Sequence, residues 1–513
     1  MDRLAAVVWP NRAARPSVID VVSASTPSVV VIGAGFGGIG AASVLRRAGF
    51  TDVTILEKAD GIGGVWRDNT YPGAACDVPS SLYSYSFAPN RTWPRRYSEQ
   101  PDILAYLRRT AEAEGVLDRV RFGAEVTGAE FDESGGVWRV TLAGGETVTA
   151  DILIPAVGQL SRPIVPNLPG ADTFAGPAFH SARWDHDTDL SGKRVAVIGT
   201  GASAIQFVPR IQPTAAHVTV FQRSAPFVIP KPDRTYRPWH HRMFTAVPAS
   251  QQVGRGATFG IGELLTTALT SWLPLGKVAD LIFRLHLRVQ IPDASLRSRL
   301  RPDYRIGCKR LLFSNDWYPA LTQRNVDVVT DAITEITPDG VRTGDGRVHQ
   351  ADVLVYGTGF TATDFLAPMA IRGLGGRDLN DEWADGARAH MGIAVPGFPN
   401  MFLVYGPNTN LGGNSIIAMM EGQFGYIRDL VRLLAARPGS YVDVKRTAAD
   451  RFDAEMRDRL GRSVWAGCES WYREENGRIT TNWPGLVREY RRRTARLDVT
   501  EYAVVDARAP QGA

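Results

Sequence analysis

Cysteine is scarce in this chain: three in 513 residues, Cys76, Cys308 and Cys468, with no C-x-x-C pair. Such scarcity argues against a zinc site, a disulfide framework and a thioredoxin-like couple, and it fits a reducing cytoplasm. Long apolar runs are missing too. In the most apolar region, from about Thr258 to Ile291, the longest uncharged run is Leu264 to Gly276. That run is shorter than the ~20 residues a membrane span needs, and Pro274 interrupts it. Two buried or amphipathic helices are expected there, in preference to a peripheral membrane contact. Residues 1–27 lack an uninterrupted apolar stretch behind a basic start. No secretion signal is expected from them, and they read as a loosely ordered extension. Strong charge of one sign is also missing, since the net charge is only +5. The one dense run, Arg491-Arg-Arg-Thr-Ala-Arg496, reads as a solvated helix face and not as a nucleic-acid patch.

What is abundant is glycine, 51 residues of it, much of it in motifs. A chain this long is expected to form two or three domains. Ser28-Val-Val-Val-Ile32 is β-branched without alternation, which suits a strand buried on both faces of a parallel sheet. Gly33-x-Gly35-x-x-Gly38 follows, then a helical stretch to Ala48, then the strand Val53-Thr-Ile-Leu56 ending at Glu57. This is a complete dinucleotide fingerprint. Gly33 permits the tight turn, Gly35 lets the backbone approach a pyrophosphate, Gly38 allows close helix–strand packing, and Glu57 is placed to accept from a ribose. The phosphates belong at the helix N-terminus, where free N–H groups favour anions. Gly61-Ile-Gly-Gly64-Val-Trp66 and Tyr71-Pro-Gly-Ala-Ala-Cys-Asp77 read as a loop laid against the nucleotide.

The pattern repeats. Arg194-Val-Ala-Val-Ile198 leads into Gly199-Thr-Gly201-Ala-Ser203-Ala204, a helix to about Arg210 and the strand Val218-Thr-Val-Phe221. At the end of that strand, Gln222-Arg223-Ser224 stands where an acid would select NADH. An acid repels a 2′-phosphate and an arginine holds it, so the second nucleotide is expected to be NADPH. A mildly basic chain suits a binder of two anionic dinucleotides. The expected fold is α/β, with two Rossmann-like dinucleotide-binding domains. Residues 28–165 and 352–513 would form one, and 166–351 the other, with a helical insertion at about 231–301.

Between the two loops lies Phe174-x-Gly176-x-x-x-His180-x-x-x-Trp184-Asp185. This pattern resembles the fingerprint of type I Baeyer–Villiger monooxygenases, class B flavoproteins that use NADPH and O2 to turn ketones into esters or lactones. The resemblance implies FAD at the first loop, NADPH at the second, and a small-molecule ketone as substrate, oxidised through a C4a-peroxyflavin. It also assigns residues. Trp66 packs near the flavin, Asp77 is the active-site aspartate, Lys309 helps hold the NADPH phosphate, and Arg310 is the arginine beside the flavin peroxide. Trp471 lies near the nicotinamide, where packing is an equal reading. His180 is expected to be structural and conformational rather than a general base. Many members carry His where this chain has Gly413.

Two other functions use the same fold. Flavin-containing monooxygenases, which oxidise nitrogen or sulfur, usually differ at the positions of Trp184 and Asp185. An NADPH oxidase would release peroxide without needing a ketone. A disulfide reductase would need a cysteine pair beside the flavin. A cytoplasmic location follows from the cysteine usage, and nothing in the sequence sets an oligomeric state.

Overall fold

The computed structural model describes residues 26–270 and 275–507. Most of the segment read as a loosely ordered extension, residues 1–25, lies outside the described residues. The first sheet has strands β1 (Val29–Ile32), β2 (Val53–Leu56), β3 (Val120–Arg121) and β4 (Ile152–Pro155) in the order β3-β2-β1-β4, all parallel. Every residue of β1 and β4 is buried, as expected for strands covered on both faces. Helix α1 (Phe36–Arg47) crosses from β1 to β2. An antiparallel meander, Val126–Asp132, Val137–Leu142 and Thr147–Ala150, precedes β4.

The second sheet is built from β5 (Ala178–His180), β6 (Arg194–Ile198) and, after helix α2 (Ala204–Ile211), β7 (His217–Phe221). Helices α3 (Pro238–Ala246), α4 (Pro248–Thr270) and α5 (Leu275–Gln290) follow as the insertion. Strands β8 (Val326–Val329) and β9 (Val353–Tyr356) then complete the order β8-β7-β6-β9-β5, again all parallel. The return to the first domain was expected to begin at 352, one strand too early. All four residues of β9, Val-Leu-Val-Tyr, are buried. Such a strand needs a neighbour on each side, and β6 and β5 supply them.

After β9 the chain runs back to the first sheet, where Leu153 bridges Met401. Helix α6 (Ile416–Ala435) then packs on α1. Contact there is close enough that a Cβ on Gly40 would lie 2.4 Å from the Phe424 ring. The two largest buried clusters lie around β1, α1 and α6 and around β6, β7 and α2.

The cysteine expectation is corrected by the fold. Cys308 and Cys468 form a disulfide across 160 residues, and Cys76 alone is free, buried in the first core. Sequence spacing could not reveal this, because the pair is made by two loops that meet only in the folded chain.

Candidate active site

The two dinucleotide loops sit at the carboxyl ends of β1 and β6, where open α/β sheets bind ligands. In the first, Gly33 has φ +101° and a Cβ on Gly38 would fall 1.9 Å from the Gly33 carbonyl, so no side chain fits. Gly35 lies beside Gly64, whose φ is +54°. Glu57 is buried, and its Oε2 accepts from the Ala34 backbone N–H at 2.8 Å. Its Oε1 accepts from Ala59 N at 3.0 Å and Arg67 Nη1 at 3.1 Å. Glu57 therefore also fastens the loop itself, leaving only spare lone pairs for a ribose. Trp66 donates from Nε1 to Tyr83 Oη at 2.9 Å and stands at the edge of that ring.

Gly199 has φ +108°, and its Cβ would lie 2.4 Å from the Gly357 carbonyl; Gly201 stands beside the same carbonyl. Gly35 caps α1 and Ser203 caps α2, in both cases without a side-chain hydrogen bond to the helix and with no acid in the first turn. Both N-termini keep backbone donors free for an anion. Helix α6 begins the same way, its cap Ser415 donating instead to the Leu82 carbonyl at 3.2 Å. The residues present fit two dinucleotide pyrophosphates.

At the end of β7 the predicted cations come together. Lys309 Nζ donates to Ser224 Oγ at 3.0 Å and stands over the Tyr304 ring. Burial, and then the nearby Arg223, lower the Lys309 pKa from the ordinary lysine value. Two cations held near each other this way suit a phosphate dianion. A cavity of about 470 Å³ opens beside this corner, lined by Phe227, Phe283, Arg284, Arg301 and Tyr304 among others. Neither Arg310 nor Asp77 lines it, so the site of chemistry is placed by the charged residues and not by this cavity.

One residue further on, Arg310 donates from Nε and Nη2 to Asp77 Oδ2 at 3.0 and 2.6 Å. The side chains are 32% and 23% exposed, so the pair is largely enclosed yet reachable. The carboxylate is the main reason the Arg310 pKa is raised above the ordinary arginine value. Tyr405 and Tyr472 also bear on Arg310. Burial pushes the Tyr472 hydroxyl up to about 12, and its oxygen is buried without a hydrogen-bond partner. Trp471 packs on Tyr472 at 4.2 Å between centroids with the rings tilted by 44°, and the Cys308–Cys468 bridge ties their loop to the one carrying Lys309 and Arg310. Gly413 lies against α4: a Cβ there would approach Thr266 Oγ1 to 3.2 Å, so a side chain would require α4 to give by a few tenths of an ångström.

The segment 174–185 forms a packed joint. Gly176 lies so close to β9 that a Cβ would come within 2.1 Å of the Asp352 carbonyl, and Phe174 packs into the same core. His180 pairs with Tyr356 in the sheet, its Nδ1 accepts from Ala182 N at 3.0 Å, and burial lowers its pKa. Trp184 packs between Phe179 and Phe207, both at 5.2 Å. Asp185 accepts from Asp187 N and Thr188 Oγ1, capping a turn.

Gln206 was missed in the sequence. From α2 its Oε1 accepts from Tyr71 Oη at 2.9 Å and Ala75 N at 3.2 Å, and its Nε2 donates to the Ala75 carbonyl at 3.0 Å. It thus clamps the loop carrying Asp77 to the second nucleotide fold. Tyr472 was passed over as well, although its neighbour Trp471 was singled out.

A family model described as "Pyridine nucleotide-disulphide oxidoreductase" matches residues 30–257. Among the described residues the only free cysteine is Cys76, so no redox cysteine pair accompanies that match. The chain is 46% identical to a Baeyer–Villiger monooxygenase of Streptomyces coelicolor, over 93% of this chain and 92% of that protein. To a Baeyer–Villiger monooxygenase of Pseudomonas aeruginosa it is 42% identical, over 92% and 90%. A solved structure of oxidised steroid monooxygenase bound to NADP superposes with a TM-score of 0.84 at 32% identity, over 94% of this chain and 99% of that one. With this coverage, and with an enclosed arginine–carboxylate pair set between two dinucleotide folds, the chain belongs to the Baeyer–Villiger monooxygenase family.

Proposed function

We propose that the chain catalyses an FAD- and NADPH-dependent Baeyer–Villiger oxidation at the Arg310–Asp77 pair. One oxygen atom of O2 enters beside a ketone carbonyl to give an ester or lactone. The other leaves as water, with two electrons from NADPH. The observation that carries this is the juxtaposition of a carboxylate-held arginine with the cationic corner at Lys309, Arg223 and Ser224.

The cofactors supply the activation of O2, which side chains cannot perform. Arg310 supplies a cation that cannot deprotonate, aimed where negative charge gathers on oxygen. Asp77 fixes its direction through two hydrogen bonds to one oxygen. Tyr472, with an unpartnered buried hydroxyl, is a positioning donor for the same region. Gly33, Gly35, Gly38, Glu57, Gly64 and Trp66 hold FAD; Gly199, Gly201, Ser203, Arg223, Ser224 and Lys309 hold NADPH, with Trp471 at the nicotinamide end. The joint at His180, Trp184 and Asp185 fixes how the two nucleotide folds meet. In this division residues 28–165 and those beyond Tyr356 serve FAD, and 166–356 serve NADPH. Among the described residues no helix is long and apolar enough to cross a membrane. NADPH as reductant favours the cytoplasm.

The test is NADPH oxidation with product analysis on FAD-loaded protein, against aryl, cyclic and linear ketones and a thioether. Ester or lactone that disappears in Arg310→Ala, while flavin reduction persists, supports this function. Sulfoxide as the only product from the whole panel would favour a heteroatom oxygenase. Hydrogen peroxide alone, at a rate no ketone changes, would favour an oxidase.

A further inference from the structure

The helical insertion is built inside out. Helix α4 runs 23 residues and its only charged residues, Arg255 and Glu263, both turn inward. Arg255 donates to the Ser81 and Ser84 carbonyls at 2.6 and 3.0 Å. Glu263 is buried, accepting from Asn414 Nδ2 at 2.9 Å and Val487 N at 3.0 Å. The outward side is left without charge and carries Val253, Ile261 and Leu264, Val253 being 72% exposed. Helix α5 packs against α4 and repeats the arrangement. Its inner face buries Phe283 and Leu287. Its outer face shows Val278, Leu281, Ile282, Leu285 and Val289 at helical spacing, Val289 being 77% exposed. Trp239, Met243 and Val247 continue the exposed apolar surface on and just beyond α3. A helix of a monomer facing water would reverse this order.

Charge follows the same segment. Residues 231–301 hold eleven Lys or Arg against four Asp or Glu, an excess of seven, whereas the whole chain has a net charge of +5. The rest of the molecule is slightly acidic. Lys277, Arg284 and Arg288 are exposed on α5 among the apolar side chains, and Arg242 is exposed on α3. Among the described residues Asp280 answers them, at 2.7 Å from Arg284.

We propose that this face seats the enzyme on the surface of an anionic lipid bilayer. Apolar side chains flanked by cations, with an exposed tryptophan, are what an interfacial helix presents to headgroups and the acyl boundary. A second copy of this chain, docked face to face about a twofold axis, would set the same cations against each other. A bilayer carrying negative headgroups complements them. Glu263 and Asn414 connect the inner side of this seat to the loop leading into α6.

The test uses full-length, FAD-loaded protein in co-sedimentation with phosphatidylcholine vesicles, with and without phosphatidylglycerol. The wild type is expected to sediment with the anionic vesicles, weakly with the neutral ones, and to be released by salt. Leu281→Asp combined with Leu285→Asp is expected to reduce binding at least tenfold while flavin absorbance and Tm hold. Should that variant fold poorly, Lys277→Glu with Arg288→Glu is expected to erase the preference for anionic vesicles. Wild type that ignores both vesicles, or binding unchanged in both variants, overturns the proposal. So does a concentration-dependent dimer by light scattering that Leu281→Asp dissociates, since a second copy would then cover the face.

Discussion

Lys309 and Arg310 are neighbours in sequence and opposites in circumstance. Arg310 is held by a carboxylate on a distant loop, which raises its pKa. Lys309 has, among the described residues, a serine hydroxyl as hydrogen-bond partner and a second cation nearby, and its pKa is lowered. The difference is one of assignment. A cation already neutralised by a fixed carboxylate has its direction set before any ligand arrives, as electrostatic catalysis requires. A pair of cations left near each other is stabilised only when an anion comes, as binding requires. Backbone adjacency then places a serine-held cation and a carboxylate-held one within a single loop.

The largest way to break the contrast is Arg310→Ala. Ester formation should fall by roughly 10²–10³, the usual loss on removing a fixed charge-stabilising donor, while stopped-flow reduction of FAD by NADPH continues. Asp77→Asn should come next. It leaves the cation but weakens its anchor, and a loss of about thirtyfold in ester formation, from ~2 kcal/mol, is expected with KM for NADPH unchanged. On the other side, Lys309→Ala or Arg223→Ala should raise KM for NADPH about tenfold through loss of a charge-assisted contact. KM for NADH should barely move, and a comparison of the two coenzymes in steady state checks this.

A pH series sharpens the same point. Because the Lys309 pKa is lowered, its charge is complete at low pH and is lost on raising pH sooner than for an ordinary lysine. KM for NADPH should therefore climb on the alkaline side, KM for NADH should not, and Lys309→Arg should flatten the profile. Cys468→Ser should have the smallest effect. Opening a loop of 160 residues removes about 2–4 kcal/mol of constraint, read as a fall of a few degrees in Tm, with the pairing of Arg310 and Asp77 and the KM for NADPH retained.

Local pattern carried much of the fold. Strands β1 and β6 were visible as β-branched runs ahead of glycine loops, because a strand buried on both faces has no polar side to show. Arg223 was visible by its place at the end of β7, since strand, loop and helix are spaced by geometry rather than by partners. Arg310 was visible only through family resemblance: two adjacent cations in a loop have no local signature. Gln206 and Tyr472 were missed for the same reason, their roles being made wholly by what faces them. The apolar stretch around Leu264 and Leu281 was read as buried or amphipathic helices, which is correct for helix. Periodicity alone does not say whether an apolar stripe faces a core or water.

What the sequence by itself determined is therefore the pair of nucleotide-binding folds, their order, and the place of Arg223 just beyond the end of β7. Each rests on contacts within a few tens of residues, where steric and hydrogen-bonding rules act directly on the pattern. Only the tertiary structure decided that Arg310 meets Asp77 across 233 residues, that Cys308 meets Cys468, and that the insertion turns its apolar side outward. Those outcomes depend on how two cores pack against each other. The side chains concerned are common residue types whose meaning is set by the neighbour that packing brings.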